Sequence, residues 1–117
     1  MTTSRPAQQL RIYIGDSDRH DGRPLHEAIV EAARRAGLAG ATVFKSPLGF
    51  GAGSTIHSAK ILQLSGDLPL VIEIIDAPEK ISAFLPVLDG LMDGGLVTRQ
   101  HLEIVIARGR KAPPHEG

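Results

Sequence analysis

The sequence predicts an α+β domain in which a four-stranded antiparallel sheet carries two helices on one face. Four segments have the pattern of strands, and two others have apolar residues at helical spacing, in the order βαββαβ. The chain has 117 residues, of which 42% are hydrophobic, and this suits one modest core. Since only three Phe, one Tyr and no Trp occur, that core is expected to be aliphatic.

The first strand and the first helix are predicted by their periodicity. Residues 1–7 are expected to be a disordered lead, and in residues 10–14 apolar and polar side chains alternate as in a half-buried strand. Residues 15–22 form a polar loop, whose aspartates are explained by capping and solvation. A helix follows from Pro24, which suits a first helical turn, and Gly37 is a natural stop.

The middle of the chain is organised around residues 45–60, KSPLGFGAGSTIHSAK, which follow a second strand at residues 41–46. Residues 56–64 fit neither period, and residues 59–64 within them are predicted to be extended. Residues 70–75 are apolar except for one glutamate, which is typical of a central strand.

A second helix and a final strand complete the predicted domain. Asp76 and Glu79 have the spacing of a capping box, and a glycine pair ends the helix. Pro86 lies inside this helix and predicts a kink or a break, because it lacks an N–H group. Residues 102–106 alternate as a last strand.

This element order is that of the ferredoxin-like fold. The domain is expected to span residues 8–108, with a flexible, basic and proline-containing tail at residues 109–117. Both helices cover the same sheet face, so the other face would be left in water. Association of several copies through that face is therefore expected.

Composition excludes several classes of function. The formal net charge is zero, with 13 basic and 13 acidic residues, so neither nucleic acid nor an anionic membrane is an expected partner. Without cysteine, thiol catalysis and thiolate metal sites are excluded. No two of the five histidines have the spacing of a zinc site, so no metal is expected. No apolar run reaches the length of a membrane span and the first residues do not form a signal peptide, so a cytoplasmic protein is the default expectation.

The stretch of residues 45–60 has the chemistry of an anion site. Glycines at alternate positions let other atoms approach the backbone, and hydroxyls and a lysine follow them. The residues concerned are Gly49, Phe50, Gly51, Ala52, Gly53, Ser54 and Lys60. A flexible hairpin loop that only turns the chain explains the same composition.

Five blocks in order resemble the PII-like family known as domain of unknown function 190. They are LRIYIG at residues 10–15, PLHEAIV at 24–30, GATV at 40–43, GFG at 49–51 and LPLVIEII at 68–75. The resemblance covers residues 8–108 and implies a relative of the PII signalling proteins. Those proteins are ferredoxin-like trimers that bind adenine nucleotides between subunits and signal through the loop after the second strand.

The resemblance also implies site residues. The Gly-Phe-Gly of PII proteins, whose backbone lies against the nucleotide, is Gly49, Phe50 and Gly51 here, and Ala52, Gly53 and Ser54 stand in the same cleft. The phosphate-binding turn before the last strand corresponds to Gly94 and Gly95, with Arg99 farther on and Arg108 and Arg110 after the strand.

Two departures from PII proteins concern the chemistry of this site. The lysine that follows the glycines in PII proteins is Leu96 here. The tyrosine that is modified in the signalling loop of many PII proteins is missing, because the only tyrosine is Tyr13, in the first strand. An anionic effector is therefore expected without uridylylation of the usual kind.

The sequence thus predicts a regulatory homotrimer that is not an enzyme and holds no resident cofactor. Its effector would be a small anion, first of all an adenine nucleotide, and its target an unknown protein for which a membrane transporter is one candidate. Two alternatives stay open. One is a phosphate-ester hydrolase, for which Ser54 and His57 lie close in sequence but no third group orients the histidine. The other is an interaction module without a ligand.

Overall fold

The computed structural model describes residues 4–50 and 68–109. These residues form the strands β1 (Arg5–Gly15), β2 (Arg19–His20), β3 (Arg23–Pro24), β4 (Thr42–Lys45), β5 (Pro69–Asp76) and β6 (Leu96–Ile104), and the helices α1 (Leu25–Arg35) and α2 (Pro78–Leu91). The extended segment predicted at residues 59–64 and most of the glycine-rich loop lie outside the described residues. Neither described helix is long and apolar enough to cross a membrane.

The main sheet has the strand order β4-β5-β1-β6, and all three neighbouring pairs are antiparallel. Each helix therefore connects two strands that run in the same direction and are separated by a third strand. This is the predicted βαββαβ arrangement, and the α+β, ferredoxin-like prediction is confirmed.

One core lies between the sheet and the two helices. Alternate residues of β1 and β5 enter it, and the period of two sends their neighbours to the opposite face. Because residues of α1 and α2 pack on the same set, both helices cover one face. The buried cluster comprises Leu10, Ile12, Ile14, Leu25, Ile29, Ala33, Leu70, Ile72, Ile74, Ile81, Phe84 and Leu88.

Helix α1 ends as the sequence predicted. Gly37 has φ = +77°, and its N–H donates to the Arg34 carbonyl. The hairpin of β2 and β3 before α1 was predicted only as a polar loop. Its turn residues Asp21 and Gly22 both have positive φ, which is the geometry of the tight turn that joins two antiparallel strands.

Helix α2 corrects two predictions. The capping box is wrong: Ala77 occupies the N-cap position, and Asp76 accepts hydrogen bonds from the N–H groups of Ala77 (2.7 Å) and Ala39 (2.9 Å). The carboxylate thus ties the start of α2 to the chain that leads into β4. A kink or a break was predicted at Pro86, and the break is wrong, because α2 continues from Pro78 to Leu91. Buried Phe84 and Leu88 on either side of the proline hold the helix to the core.

The two longest strands extend beyond their predicted limits. β1 begins at Arg5, within the expected lead, and β6 begins at Leu96, six residues before the predicted start. Each extension pairs with the other: Arg5 lies opposite Ile104, and Tyr13 opposite Leu96. The polar run at residues 98–101 hid this strand, because an edge strand exposed on both faces need not alternate in hydrophobicity.

The sheet face that the helices do not cover carries an apolar row. Phe44, Val71, Tyr13 and Leu96 lie side by side across all four strands. Phe44 and Leu96 are each 50% exposed, so this open face presents large apolar side chains to solvent in a single copy.

Candidate ligand-binding site

The first half of the candidate site is the turn that follows β4. The Ser46 hydroxyl donates to the Leu48 carbonyl (2.6 Å), and the Leu48 N–H lies 3.3 Å from the same hydroxyl oxygen. Gly49 follows with φ = +151°, and a Cβ at this position would stand 3.3 Å from Pro69 Cγ. Phe50 is 65% exposed. The turn therefore offers a tightly bent backbone and an exposed ring next to the start of β5.

The second half is the glycine pair before β6. A Cβ on Gly95 would lie 2.7 Å from the Tyr13 carbonyl oxygen and 2.9 Å from Met92 Cε, and φ is +108°. A Cβ on Gly94 would meet nothing within 4 Å. Gly95 is thus required by the fold, whereas Gly94 leaves room for another molecule to approach the backbone.

Both halves lie at the same end of the sheet but at opposite edges. Lys45, Leu70 and Ile14 are register neighbours, as are Tyr13 and Leu96, so β4 ends and β6 begins at what we call the Gly15 end. Three strand spacings separate β4 from β6, which amounts to about 14 Å. One copy of the chain therefore does not bring the two glycine turns together.

The predicted cations are spread farther. Arg99 lies within β6 opposite Leu10, on the helix-bearing side, and is exposed. Arg108 is exposed four residues beyond the opposite end of β6, so within one copy it does not join the glycines. The remaining predicted site residues, Gly51, Ala52, Gly53, Ser54, Lys60 and Arg110, lie outside the described residues.

Local charges at the Gly15 end are already paired. Lys45 Nζ lies 3.0 Å from Asp16 Oδ2, and the Gly15 N–H donates to Asp18 Oδ2 (2.8 Å). Asp18 therefore caps a local N–H group, and Asp16 is the partner of the ammonium group at the end of β4.

A cavity of about 400 Å³ adjoins the glycine pair on its helix side. Asp89 and Asp93 line it together with apolar side chains and both glycines. Two carboxylates repel an anion, so this cavity does not suit a phosphate group.

The open face carries an ion pair formed by Glu73, the one glutamate of the apolar strand β5. Glu73 accepts from Arg11 Nε at 3.0 Å on the neighbouring strand β1, in the row next to the apolar row. Tyr13 and Glu73 beside it hold the pKa of the Arg11 guanidinium above its ordinary value. The Glu73 carboxylate is thus neither buried nor unpaired.

Histidines and carboxylates form no group that could hold a metal ion in the described ranges, 4–50 and 68–109. His57 and His115 lie outside these ranges. His101 Nδ1 lies 3.3 Å from Gln8 Nε2 across β1 and β6, which is a cross-strand contact rather than a ligand set.

Comparison with known proteins gives one family. The profile of DUF190, described as "Uncharacterized ACR", matches residues 7–104. A UPF0166 protein of Aquifex aeolicus is 38% identical over 96 residues, which cover 82% of this chain and 90% of the relative. A UPF0166 protein of Methanocaldococcus jannaschii is 34% identical over 92 residues, which cover 78% and 84%.

Solved structures agree on the fold. CPII from Thiomonas intermedia K12, a nitrogen regulatory PII-like protein bound to ADP, AMP and bicarbonate, superposes with a TM-score of 0.59 at 16% identity, over 87% of this chain and 98% of CPII. A PII-like signalling protein from Thermus thermophilus superposes with a TM-score of 0.61 at 17% identity, over 87% and 91%. At such identities the likeness establishes the fold alone.

Proposed function

The chain belongs to the DUF190 family, and from this premise we propose that it is a PII-like regulatory protein that binds an adenine nucleotide between the subunits of a homotrimer. Its role is regulatory rather than catalytic: the ligand changes the shape of the loop after β4, and a target protein reads that change.

The observation that carries this proposal is the position of the two glycine turns. Gly49 and Gly94 lie at one end of the sheet but follow and precede strands at opposite edges, β4 and β6, which are about 14 Å apart. In a ring of copies, the β4 edge of one subunit faces the β6 edge of the next, and the two turns then border one cleft. A ligand there would contact both subunits.

The open face supports three-fold assembly. Phe44, Val71, Tyr13 and Leu96 form an apolar row that a single copy leaves exposed. Three sheets that face a common axis would bury this row in each of the three copies. Burial of apolar area stabilises an assembly by about 25 cal/mol per Å².

The choice of an adenine nucleotide rests on the resemblance to PII proteins and on CPII, which shares the fold and is bound to ADP and AMP. Bicarbonate, the third ligand of CPII, is the first small anion to test beside the nucleotides. With Leu96 in place of a lysine, backbone N–H groups rather than a fixed ammonium would hold the phosphates. The target would be a protein in the cytoplasm or the cytoplasmic side of a membrane transporter.

A thermal-shift panel of adenine nucleotides, cyclic dinucleotides and bicarbonate tests the ligand, since a ligand that binds the native state raises its apparent stability. We expect ADP or a related adenine nucleotide to raise the melting temperature without being turned over during the assay. If the panel yields no shift, or if the bound nucleotide is hydrolysed catalytically, the proposal is wrong.

Replacement Gly51→Val tests the location. A branched side chain should obstruct the approach of the ligand to the backbone and lower nucleotide affinity by tenfold or more, which corresponds to about 1.4 kcal/mol. Gly40→Val is the matched control, because a Cβ at Gly40 meets nothing within 4 Å and the residue lies far from the Gly15 end. Equal nucleotide affinity in both variants would show that the loop after β4 is not the binding site.

A further inference from the structure

Within residues 4–50 and 68–109, the outer edge of β4 has backbone groups without hydrogen-bond partners. The Ser46 N–H donates to the Pro69 carbonyl (3.0 Å), which shows that the even-numbered residues of β4 direct their backbone groups toward β5. Antiparallel strands alternate the side to which N–H and C=O point, so Thr42 and Phe44 face β5. The backbone groups of Val43 and Lys45 consequently point away from the sheet, and the described chain offers them no hydrogen bond.

The outer edge of β6 likewise has backbone groups without partners in the part of the chain that the structure describes. The Asp16 N–H donates to the Leu68 carbonyl (2.8 Å), so even-numbered residues of β1 face β5 and odd-numbered residues face β6. Tyr13 lies opposite Leu96, and the backbone of Leu96 therefore faces β1. By alternation, the backbone groups of Val97 and Arg99 point outward.

We propose that β4 of one copy pairs antiparallel with β6 of the next copy, and that Arg99 and Glu103 of that neighbour lie against the outer surface of α1. The inference rests on the trimer of the proposed function and adds the seam that joins its subunits. A rotation about an axis along the strands keeps strand directions, and β4 runs toward the Gly15 end whereas β6 runs away from it.

The residues that direct their backbone groups outward at the two edges fit this pairing. At β4 they are Val43 and Lys45, and at β6 they are Val97 and Arg99. The side chains of all four lie on the helix-bearing side of the sheet. Pairing them continues the sheet with every helix on the same face. A register that joins Val43 to Val97 or to Arg99 keeps the glycine turns of the two copies at one end.

The side chains along the seam are complementary in charge. Glu27 and Arg34 follow each other down the exposed surface of α1, seven residues and about 10 Å apart. Arg99 and Glu103 follow each other in the same direction along β6, four residues and about 13 Å apart. All four side chains are exposed, and no ion pair engages any of them within residues 4–50 and 68–109. When β6 of the neighbour lies beside α1, Arg99 is next to Glu27 and Glu103 is next to Arg34, so each carboxylate meets a guanidinium.

A groove is present where these side chains would lie. A cavity of about 450 Å³ separates α1 from the edge strand, with Val43 at its floor and Val30, Glu27 and Arg34 along α1. In either register, Arg99 of the neighbour stands opposite residue 41 or 43. The seam thus gives Arg99 a place between subunits, where the resemblance to PII proteins had made it a ligand residue.

Cysteine pairs test the seam, because the chain has no cysteine of its own. Val43→Cys with Val97→Cys reports one register, and Val43→Cys with Arg99→Cys reports the other. After oxidation, one of these pairs should yield covalent dimers and trimers on a non-reducing gel. A disulfide within one copy is excluded, since β4 and β6 are about 14 Å apart and a disulfide needs Cα atoms within about 7 Å.

Each outcome of the cross-linking decides the matter. Dimers from Val43→Cys alone would show that two β4 edges meet, which overturns the head-to-tail seam. No cross-link from either pair overturns it as well. If the protein without substitutions is then still a trimer and binds a nucleotide, only the seam is wrong; if it is a monomer that binds none, the proposed function fails too.

Charge reversal tests the side chains. Arg34→Glu or Glu103→Arg alone should raise the concentration at which the trimer dissociates about tenfold, because three exposed pairs turn repulsive at once. The double variant should return it to the original value. Arg35→Glu is in the same helical turn but not among the residues that line the groove; it removes only the ion pair with Glu31, so it is the control and should leave dissociation unchanged. Equal dissociation of Arg34→Glu and Arg35→Glu, without rescue in the double variant, would overturn the pairing.

Discussion

Neighbouring glycines in this chain are present for different physical reasons. Gly95 has φ = +108° and sits against the Tyr13 carbonyl, so the fold itself forbids a side chain there. Gly94 next to it is open. The sequence predicted both as one phosphate-binding turn and had no means to separate them, because the close carbonyl belongs to a strand some 80 residues away in the chain.

Replacement Gly95→Ala should destabilise the protein strongly. The new Cβ would lie 2.7 Å from a backbone oxygen in a region of φ that L-residues avoid, which costs about 2 kcal/mol or more. The melting temperature, followed by circular dichroism, should fall by roughly 10 °C. Gly94→Ala is the control and should melt close to the parent. Equal melting of both variants would contradict this account of Gly95.

The ion pairs of Glu31 should make the stability of the folded protein depend on pH. Hydrogen bonds from Arg23 (3.2 Å) and the charges of Arg23 and Arg35 hold the pKa of Glu31 below its ordinary value. The unfolded chain lacks these partners, so the ionised pair favours the folded state above the ordinary carboxyl pKa, and this contribution disappears as the pH falls through the lower folded value.

Glu31→Gln should therefore be less stable than the parent at pH 7, and the difference in free energy of unfolding should vanish toward pH 2. Urea titrations at several pH values measure this difference. Glu79→Gln is the control, because the exposed Glu79 makes no ion pair with the described residues. A difference between parent and Glu31→Gln that does not depend on pH would contradict the assigned partners.

At the scale of elements, periodicity located those that enter the core. β1, β5, α1 and α2 each bury alternate or helically spaced apolar residues, and their order was correctly predicted. Periodicity did not predict the elements that contribute little to the core. The β2–β3 hairpin depends on turn geometry, and the first half of β6 depends on pairing with β1 at residues that are mostly exposed.

The break that the sequence allowed at Pro86 does not occur, for a related reason. Local propensity counted the missing N–H group, whereas the burial of Phe84 and Leu88 keeps the helix continuous. Because Pro86 is exposed, Pro86→Ala should restore one helical hydrogen bond at little cost in packing. We expect an increase of about 1–3 kcal/mol in the free energy of unfolding, measured by denaturant titration. An unchanged or lower value would show that the proline is accommodated without cost.

At the scale of the whole molecule, the sequence proposes residues for the candidate site but does not show how one copy distributes them. Gly49 and Gly94 were expected to line a cleft between subunits, and one copy holds the strands beside them at opposite sheet edges. The proposed contact between copies leaves only an indirect trace in one sequence, namely more apolar sheet surface than two helices can cover.

That trace leads to a test of the assembly. Val71 lies in the apolar row between Phe44 and Tyr13. In a trimer whose open faces meet, Val71→Glu brings three carboxylates together away from water, which costs several kcal/mol per charge. The variant should be a monomer by light scattering at micromolar concentration. Val87→Glu makes the same change at a residue of α2 that is 45% exposed on the far side of the core, and should remain a trimer. If both variants keep the parent mass, the open face is not the subunit contact; if both dissociate, the contact lies elsewhere or is less selective than this face requires.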